Sequence, residues 1–198
     1  MLATLATVLA AAQAAALVPL VARLARGRRR PPPVPPRAVA RGEGSVSVVV
    51  PARNEAHRIG PCLQGLMRQA APLSEILVVD GGSTDGTRAL VREAARRDPR
   101  VRLLDEPPRP AGAVGRPWAI AAGCERARGD WIMVVDADVV PRDGMVAGAL
   151  HAARLHALGA VSFGPRIVAP GCGARWLQPS LLATLIYRFG PPSARMRA

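Results

Sequence analysis

The chain contains no lysine and few aromatic residues. All 27 basic residues are arginine, and aromatic residues make up 3% of its 198 residues. A net charge of +13 suits nucleic acid or an anionic membrane surface. No aromatic side chains alternate with the arginines to stack on bases, so we expect no nucleic-acid partner. Basic residues that are all arginine, with abundant alanine, glycine and proline, are typical of a GC-rich coding sequence.

Cysteine is also scarce, and common nucleotide-binding motifs are absent. Cys62, Cys124 and Cys172 lie far apart, are odd in number and lack metal-ligand spacing. We interpret them as reduced thiols of a cytosolic domain. No G-x-G-x-x-G follows the first predicted strand, and no G-x-x-x-x-G-K-[ST] occurs. These absences exclude a dinucleotide fingerprint and a P-loop.

The amino terminus is a long stretch without charge. The run from Leu2 to Leu24 is about the length that crosses a hydrocarbon core of roughly 30 Å. Residues 1–22 carry no charged side chain, and arginines cluster from Arg23 to Arg30. The positive-inside rule then predicts a transmembrane anchor over residues 1–24, single-pass in the inner (cytoplasmic) membrane, with the amino terminus outside and the domain in the cytoplasm. The alternative is an alanine-rich helix lying on a membrane or on another protein.

The next segments differ sharply in composition. Residues 25–43 are basic and proline-rich, and the run Pro31–Pro36 favours a stiff polyproline spacer. The folded domain is predicted over residues 44–165. Residues 166–198 form an apolar tail, in which the run 176–189 is too short to span a bilayer. We expect this tail either to lie in the membrane interface or to cover the sheet of a complete protein.

Short apolar runs alternate with amphipathic segments through the folded part. This pattern predicts an α/β fold with a Rossmann-like, mostly parallel sheet covered by helices on both faces, preceded by the transmembrane helix. Ligands bind beyond the carboxyl ends of the strands in such sheets. The predicted strands are 45–51, 75–80, 101–104 and 131–136, and the predicted helices are 55–70, 85–97, 115–128 and 143–158.

Aspartates follow two of the predicted strands. Asp80 ends the second strand, before a glycine-rich turn whose polar residues can cap the next helix. Asp136 ends the fourth predicted strand and Asp138 lies two residues further on. Residues two apart on an extended segment point the same way. Paired carboxylates repel unless a cation lies between them, and Mg²⁺ commonly binds one or two carboxylates together with substrate phosphates. A single D-x-D is more often a polar turn, so the pair alone leaves both interpretations open.

Taken together, these segments resemble the family 2 glycosyltransferases, which have the glycosyltransferase A fold. The resemblance covers residues 45–145 and depends on three stretches: VSVVVPARNEAHRIGPCL, EILVVDGGSTDGT and GRPWAIAAGCERARGDWIMVVDADVVP. The P-x-x-N-E and D-x-G-S-x-D-x-T motifs of the family fall on Pro51, Asn54, Glu55, Asp80, Gly82, Ser83, Asp85 and Thr87.

The resemblance implies a binding site for a nucleotide-diphosphate sugar. It places the base and ribose in a pocket lined by Pro51, Arg53, Glu55 and Asp80. Many family members carry a second acid directly after the first one of this turn. This chain has Gly81 there, which leaves the contacts with the base and ribose open.

The resemblance also implies a divalent cation, Mg²⁺ or Mn²⁺, on the diphosphate. Asp138 would ligate the metal, and Asp136 would reach the metal or the ribose. Arg116 matches a place where the family often has a basic residue near the diphosphate. The alternative for Arg116 is a solvated helix residue.

The acidic motif that supplies the family's catalytic base has no counterpart here. The last acidic residue is Asp143, and the Q-x-x-R-W motif is absent. We therefore expect a chain truncated after the donor-binding half, which binds a nucleotide sugar weakly and turns over little or none. The strings GRPWA and LQPSLLATLIYRFGPP resemble a bacterial subgroup that glycosylates carotenoids and other isoprenoids. A lipid acceptor such as a polyprenyl phosphate suits the predicted membrane anchor equally well.

The function predicted from the sequence is sugar transfer from a nucleotide-diphosphate donor to a lipophilic or polyprenyl acceptor at the cytoplasmic membrane face. The alternative is a non-catalytic, membrane-tethered fragment that binds a nucleotide sugar. A nucleotidyltransferase is disfavoured because its G-x-G-T-R segment is replaced by PARNE. A basic membrane-surface adaptor that uses only residues 1–43 leaves the strand-end aspartates unexplained.

Overall fold

The computed structural model describes residues 2–26, 33–37, 44–166, 168 and 171–173. The chain divides into two compact units. One comprises Met1–Pro33 and Gly164–Ala198, and the other comprises Val34–Phe163. Helix α1 (Leu2–Arg26) belongs to the first unit, and the remaining elements belong to the second. Most of the predicted apolar tail lies outside the described residues.

Helix α1 forms where the uncharged run predicted a helix, but the prediction of a transmembrane anchor is not supported. In the parts of the chain that the structure describes, no helix is both long enough and apolar enough to cross a membrane. Much of α1 is alanine, whose single methyl group contributes little apolar surface. Gln13 and Pro19 also lie within the helix.

The second unit alternates strands and helices as its apolar periodicity predicts. Its strands are β1 (Val46–Ala52), β2 (Leu73–Asp80), β3 (Val101–Asp105) and β4 (Trp131–Val134). Its helices are α2 (Ile59–Met67), α3 (Thr87–Arg97), α4 (Gly115–Cys124) and α5 (Met145–Leu155). The four strands form one parallel sheet in the order β3-β2-β1-β4. The α/β class and the parallel sheet are confirmed.

Two apolar clusters cover the two faces of this sheet. Alternate residues of β1 and β2 pack on one face with side chains of α2, α3 and α5. The other residues, among them Val49, Leu77 and Val79, pack with Ala119 and Ala122 of α4. A continuous run of buried Val, Ile and Leu in the central strands follows from this cover on both faces.

Strand β4 differs from its prediction in length and in burial. It ends at Val134 rather than at Asp136, and it lies at one edge of the four-stranded sheet. Ile132 and Val134 are 45% and 42% exposed, because α4 packs against β1 and β2 instead of β4. The predicted cover of the sheet by helices on both faces therefore does not extend to β4.

A backbone conformation lies before the start of α2, and a hydrogen bond lies before the start of α5. Asn54 adopts a left-handed conformation with φ of 57°, so the chain turns after β1 and α2 begins at Ile59, later than the predicted residue 55. The backbone N–H of Arg37 donates to the carbonyl of Gly144 over 3.2 Å, just before α5. Residues of the proline-rich segment therefore lie against the start of α5.

Candidate functional site

The loops that follow β1 and β2 are joined by hydrogen bonds at the carboxyl edge of the sheet. The backbone N–H of Asn54 donates to Ser83 Oγ over 2.9 Å. In return, Asn54 Oδ1 accepts from the backbone N–H of Thr84 over 2.9 Å. The left-handed conformation of Asn54 turns its backbone N–H and its side chain toward the same loop. Two residues of the family motifs, Asn54 and Ser83, therefore hold the two loops together.

A second pair of contacts extends this junction to the start of α3. Asp85 accepts from the backbone N–H groups of Ala56, over 3.1 Å, and of Thr87, over 2.9 Å. The hydroxyl of Thr87 donates to Asp85 and accepts from the backbone N–H of Glu55 over 2.9 Å. Glu55 is thereby held at the end of β1 beside the end of β2.

Asp80 is the most buried acidic side chain at this edge, with none of its side-chain surface exposed. Its Oδ2 accepts from the backbone N–H of Ser83 over 3.1 Å and from Arg88 Nη1 over 2.8 Å. The same Nη1 donates to Asp105 Oδ1, at the end of β3, over 2.6 Å. Burial raises the pKa of Asp80, but the hydrogen bonds from Ser83 and Arg88 outweigh it and hold the pKa below its ordinary value.

Asp80 and Glu55 each keep one buried oxygen without a hydrogen bond. In Asp80 this atom is Oδ1. In Glu55 it is Oε2, which lies 2.9 Å from Arg58 Nε, although the angle of that contact is unsuited to a hydrogen bond. Buried acceptors are nearly always satisfied, so two exceptions at one edge of the sheet indicate a place where a ligand supplies donors.

The other two residues predicted to line the pocket lie on either side of the end of β1. Pro51 is partly buried in β1, where it is paired with Val79 of β2. Arg53 is exposed immediately after the strand, and its guanidinium makes no hydrogen bond or ion pair within the described residues. Its charge is therefore available to an anionic ligand. The structure brings Pro51, Arg53, Glu55 and Asp80 to one edge of the sheet.

Asp136 and Asp138 follow β4 at the same edge, but in a turn instead of an extended segment. The backbone N–H of Val139 donates to the carbonyl of Asp136 over 3.0 Å. Strand alternation therefore does not reach these residues, so the argument from an extended segment does not apply to their side chains. The Asp136 carboxylate pairs with Arg116 of α4, while Asp138 is exposed and accepts no hydrogen bond from the described residues.

Arg116 contacts the D-x-D segment from the first turn of α4. Its guanidinium is 59% exposed and donates to Asp136 Oδ1. Arg116 and Asp136 are thus neighbours, as residues around one diphosphate would be. An exposed ion pair of this kind contributes little to stability, so a ligand can replace either partner.

Cys62 of α2 packs behind the D-x-D segment, and the sequence analysis assigned it no role at this site. Its thiol donates to the carbonyl of Asp136 over 3.6 Å. Burial, and then the charges of Asp138 and Asp136, raise the pKa of Cys62 to about 12. The thiol therefore stays protonated and supports the turn from the core side.

Arg88 and Asp105 were also missed by the sequence analysis. Asp105 had a signal in the sequence, because it lies at the end of the third predicted strand as Asp80 lies at the end of the second. In the structure the two residues are paired in register. Arg88 had no signal beyond its place directly after the motif residue Thr87. Together they place a cation between two strand-end acids.

The carboxylates suit a cation that takes part of its coordination from a ligand. Among the described residues, no group of three or more His, Cys, Asp or Glu side chains could hold a metal ion. Asp138 provides an unpaired carboxylate, and Asp136 provides a second one that Arg116 now neutralises. One or two carboxylates are what Mg²⁺ uses when phosphate oxygens and water complete its shell. The residues present therefore fit a cation bound together with a diphosphate.

Comparison with known proteins identifies the family of the chain. The model of Glycosyl transferase family 2 matches residues 47–196, which is more than half of the chain. The chain belongs to this family. The resemblance that the strand-end motifs indicated is confirmed at the level of the family, and the carotenoid subgroup stays a prediction.

Curated relatives match a similar part of the chain. A dolichyl-phosphate β-glucosyltransferase of Trichomonas vaginalis is 38% identical over 111 residues, covering 52% of this chain and 32% of the relative. A succinoglycan biosynthesis protein of Rhizobium meliloti is 40% identical over 93 residues, covering 46% and 27%. The chain thus matches about a third of the length of these relatives.

A solved structure shares the fold. A mannosyltransferase from Pyrobaculum calidifontis, in complex with GDP-Man and Mn²⁺, superposes with a TM-score of 0.50 at 32% sequence identity. The superposition covers 70% of this chain and 39% of the mannosyltransferase. The described sheet therefore shares its architecture with a solved mannosyltransferase.

Proposed function

We propose that this domain binds a nucleoside-diphosphate sugar and that the protein transfers the sugar to a lipid acceptor. The observation that carries the proposal is the buried Oδ1 of Asp80, which accepts no hydrogen bond at the carboxyl edge of the sheet. Ribose hydroxyls and base N–H groups are the donors that would satisfy it. The family model and the likeness to a mannosyltransferase solved with GDP-Man support this choice of ligand.

The residues at the carboxyl edge form two groups, one for the nucleoside of the donor and one for its diphosphate. Asp80 and Glu55 face the nucleoside, each with an unsatisfied acceptor, and Pro51 and Arg53 complete that pocket. Asp138 and Asp136 hold Mg²⁺ or Mn²⁺ on the diphosphate, with Arg116 as a further positive charge. A bound cation would neutralise the diphosphate as it leaves the sugar.

The chemistry needs an acceptor oxygen, of a phosphate or of a hydroxyl, that attacks the anomeric carbon while the nucleoside diphosphate departs. A hydroxyl acceptor needs a base to take its proton, whereas a phosphate oxygen is already ionised. The residues assigned here bind the donor, and we assign none of them to that base. The residues assigned here therefore account for donor binding alone. The alternative, a binding protein without transfer activity, predicts donor affinity without sugar release.

The acceptor we propose is a polyprenyl phosphate or another isoprenoid lipid at the cytoplasmic face of the inner membrane. A relative named a dolichyl-phosphate β-glucosyltransferase supports the lipid class. Seven arginines precede the first acidic residue, Glu43, and would favour an anionic membrane surface. A carotenoid is the second candidate, supported by the GRPWA string of α4, residues 115–119.

Calorimetric titration of UDP- and GDP-sugars, with and without Mn²⁺, tests the assignment of the donor site. We expect Mn²⁺-dependent binding, and we expect Asp138→Asn to weaken it roughly 10- to 100-fold, because a charged metal ligand is lost. Asp143→Asn is the matched control, since Asp143 is 74% exposed and pairs with Arg68 at the surface. Binding that ignores Mn²⁺, or an equal loss in the control, would contradict the proposal.

A further inference from the structure

The space beside Gly81 is filled by a carboxylate from another strand end. A Cβ atom on Gly81 would lie 2.9 Å from Glu106 Oε2, and 3.6 Å from the Cβ of Arg53. Glu106 therefore stands where a side chain of residue 81 would begin. An acid at position 106 and a side chain at position 81 compete for one place next to Asp80.

Backbone pairing brings Glu106 to this place. Asp105, the last residue of β3, is paired with Asp80, and the backbone N–H of Glu106 donates to the carbonyl of Asp80 over 3.0 Å. The side chain of Glu106 is only 9% exposed. The hydrogen bond to β2 therefore positions the backbone of Glu106, and burial restricts its side chain.

Arg109 fixes one oxygen of the Glu106 carboxylate and leaves the other unpaired. Arg109 Nε and Nη2 donate to Oε1 over 3.1 and 2.8 Å. Oε2, the atom beside Gly81, accepts no hydrogen bond from the described residues. The Arg109 guanidinium also lies against Gly115, the first residue of α4, within 3.1 Å of the place of a Cβ atom. The loop after β3 thus holds a buried carboxylate with one acceptor directed at the pocket.

Three acceptor oxygens without hydrogen bonds belong to acids at this carboxyl edge of the sheet. They are Oδ1 of Asp80, Oε2 of Glu55 and Oε2 of Glu106. A ligand that satisfies several of them must present several hydroxyl or N–H donors on one face. A nucleoside does so with its ribose hydroxyls and base N–H groups, whereas the phosphates of the donor carry no such groups.

We propose that Glu106 is a binding residue for the nucleoside of the donor, supplying from β3 the carboxylate that Gly81 lacks. Its Oε2 accepts a hydrogen bond from a ribose hydroxyl or from a base N–H. This inference rests on the proposed function, because it needs a nucleoside at the carboxyl edge. It adds a residue that none of the strand-end motifs marks.

Titration of the full-length chain with UDP and GDP in the presence of Mn²⁺ tests the role of Glu106. Glu106→Gln keeps the size of the side chain and removes its charge, so we expect roughly 10- to 100-fold weaker binding. Glu125→Gln, an exposed residue just after α4, is the matched control and should bind as the wild type does. 2′-Deoxynucleotides then identify the group that donates the hydrogen bond to Glu106. If that group is the 2′-hydroxyl, Glu106→Gln no longer weakens binding of the 2′-deoxynucleotides. If it lies elsewhere on the nucleoside, the weakening persists.

A double variant that moves the carboxylate from position 106 to position 81 distinguishes a role in binding from a role in folding. Glu106→Ala should weaken binding as Glu106→Gln does, and Gly81→Asp in the same chain should restore affinity to within about threefold of the wild type. Gly81 has space for the new side chain once Glu106 is shortened, since its other neighbours lie at 3.6 Å or more. Thermal unfolding of each variant reports on folding.

The possible results differ for the two proposals. If the wild type binds UDP or GDP and Glu106→Gln binds equally well, the role of Glu106 is refuted and the donor site stands. Failure of Gly81→Asp to restore binding in a folded double variant also refutes it. If the wild type binds neither nucleotide, the proposed function fails, and the role of Glu106 fails with it.

Discussion

Two buried acids at opposite ends of the sheet show how the same residue type serves stability or binding. At the amino end, Glu75 Oε1 accepts from Ser47 Oγ over 2.7 Å and from the backbone N–H of Arg128 over 2.6 Å. Its Oε2 accepts from Arg102 Nη1 over 3.0 Å. At the carboxyl end, Asp80 keeps one oxygen without a hydrogen bond. A fully satisfied carboxylate joins neighbouring segments, whereas a partly satisfied one is prepared for a ligand.

We predict that Glu75→Gln lowers the free energy of unfolding at pH 7 by about 2 kcal/mol, because charged hydrogen bonds are lost. Burial raises the pKa of Glu75, but hydrogen bonds from Ser47, Arg128 and Arg102 outweigh it, and the folded-state pKa lies below the ordinary 4.5. The stabilising effect is therefore present above the unfolded-state pKa and is lost as pH falls through the lower folded-state pKa.

Urea unfolding of both proteins between pH 7 and pH 3 checks this prediction. The difference between wild type and Glu75→Gln should shrink as the pH falls. Glu125→Gln, which alters an exposed acid, provides the comparison and should track the wild type. A difference that stays constant over this range would show that the charge of Glu75 does not contribute to stability.

At the scale of elements, the loops after β1 and β2 act as one unit. Thr87, the first residue of α3, is fully buried and accepts from the backbone N–H of Glu55. Asn54 and Ser83 add a second junction. The motif residues between the strands and helices therefore position Glu55 and Asp80, and they need no contact of their own with a ligand.

We predict that Thr87→Val destabilises the domain by about 1–3 kcal/mol, because it leaves the N–H of Glu55 without an acceptor while keeping the shape of the side chain. Donor affinity should fall as well, since Glu55 loses its anchor. Thr84→Val is the control, because Thr84 is exposed and the bond to Asn54 Oδ1 that matters comes from its backbone N–H. Equal urea midpoints for the two variants would contradict the prediction.

At the scale of the whole molecule, the sheet needs close cover on both faces. Helix α4 approaches β1 so closely that a Cβ atom on Gly123 would lie 2.4 Å from Val49 Cγ1. The same helix carries Arg116, which contacts Asp136. The packing of α4 on the sheet therefore decides where the positive charge lies at the carboxyl edge.

We predict that Gly123→Ala destabilises the second unit by about 1–3 kcal/mol through overpacking. Gly60→Ala in α2 is the opposite case, since nothing lies within 4 Å of its Cβ position, and it should stabilise by about 0.5–1 kcal/mol. Differential scanning calorimetry of the two variants compares the same substitution at a crowded and at an open helical site. A lower melting temperature for Gly60→Ala than for Gly123→Ala would overturn this account of α4.

Much of the fold followed from local pattern. Apolar runs and helical periodicity predicted each strand and helix of the second unit, with errors of a few residues at their ends. The ends differed where a single backbone conformation intervened, as at Asn54 before α2. Burial of β4 was misjudged because its apolar sequence does not reveal how far α4 extends across the sheet.

The sequence by itself determined the alternation of strands and helices, the family and the acids at the strand ends, because periodicity and motifs are properties of neighbouring residues. Only the tertiary structure decided that Arg116 pairs with Asp136, that Asp80 keeps one oxygen free and that Glu106 stands beside Gly81. These contacts depend on the order and register of the strands. Parallel pairing of β2 with β3 brings positions 81 and 106 together, and no local pattern specifies that distance.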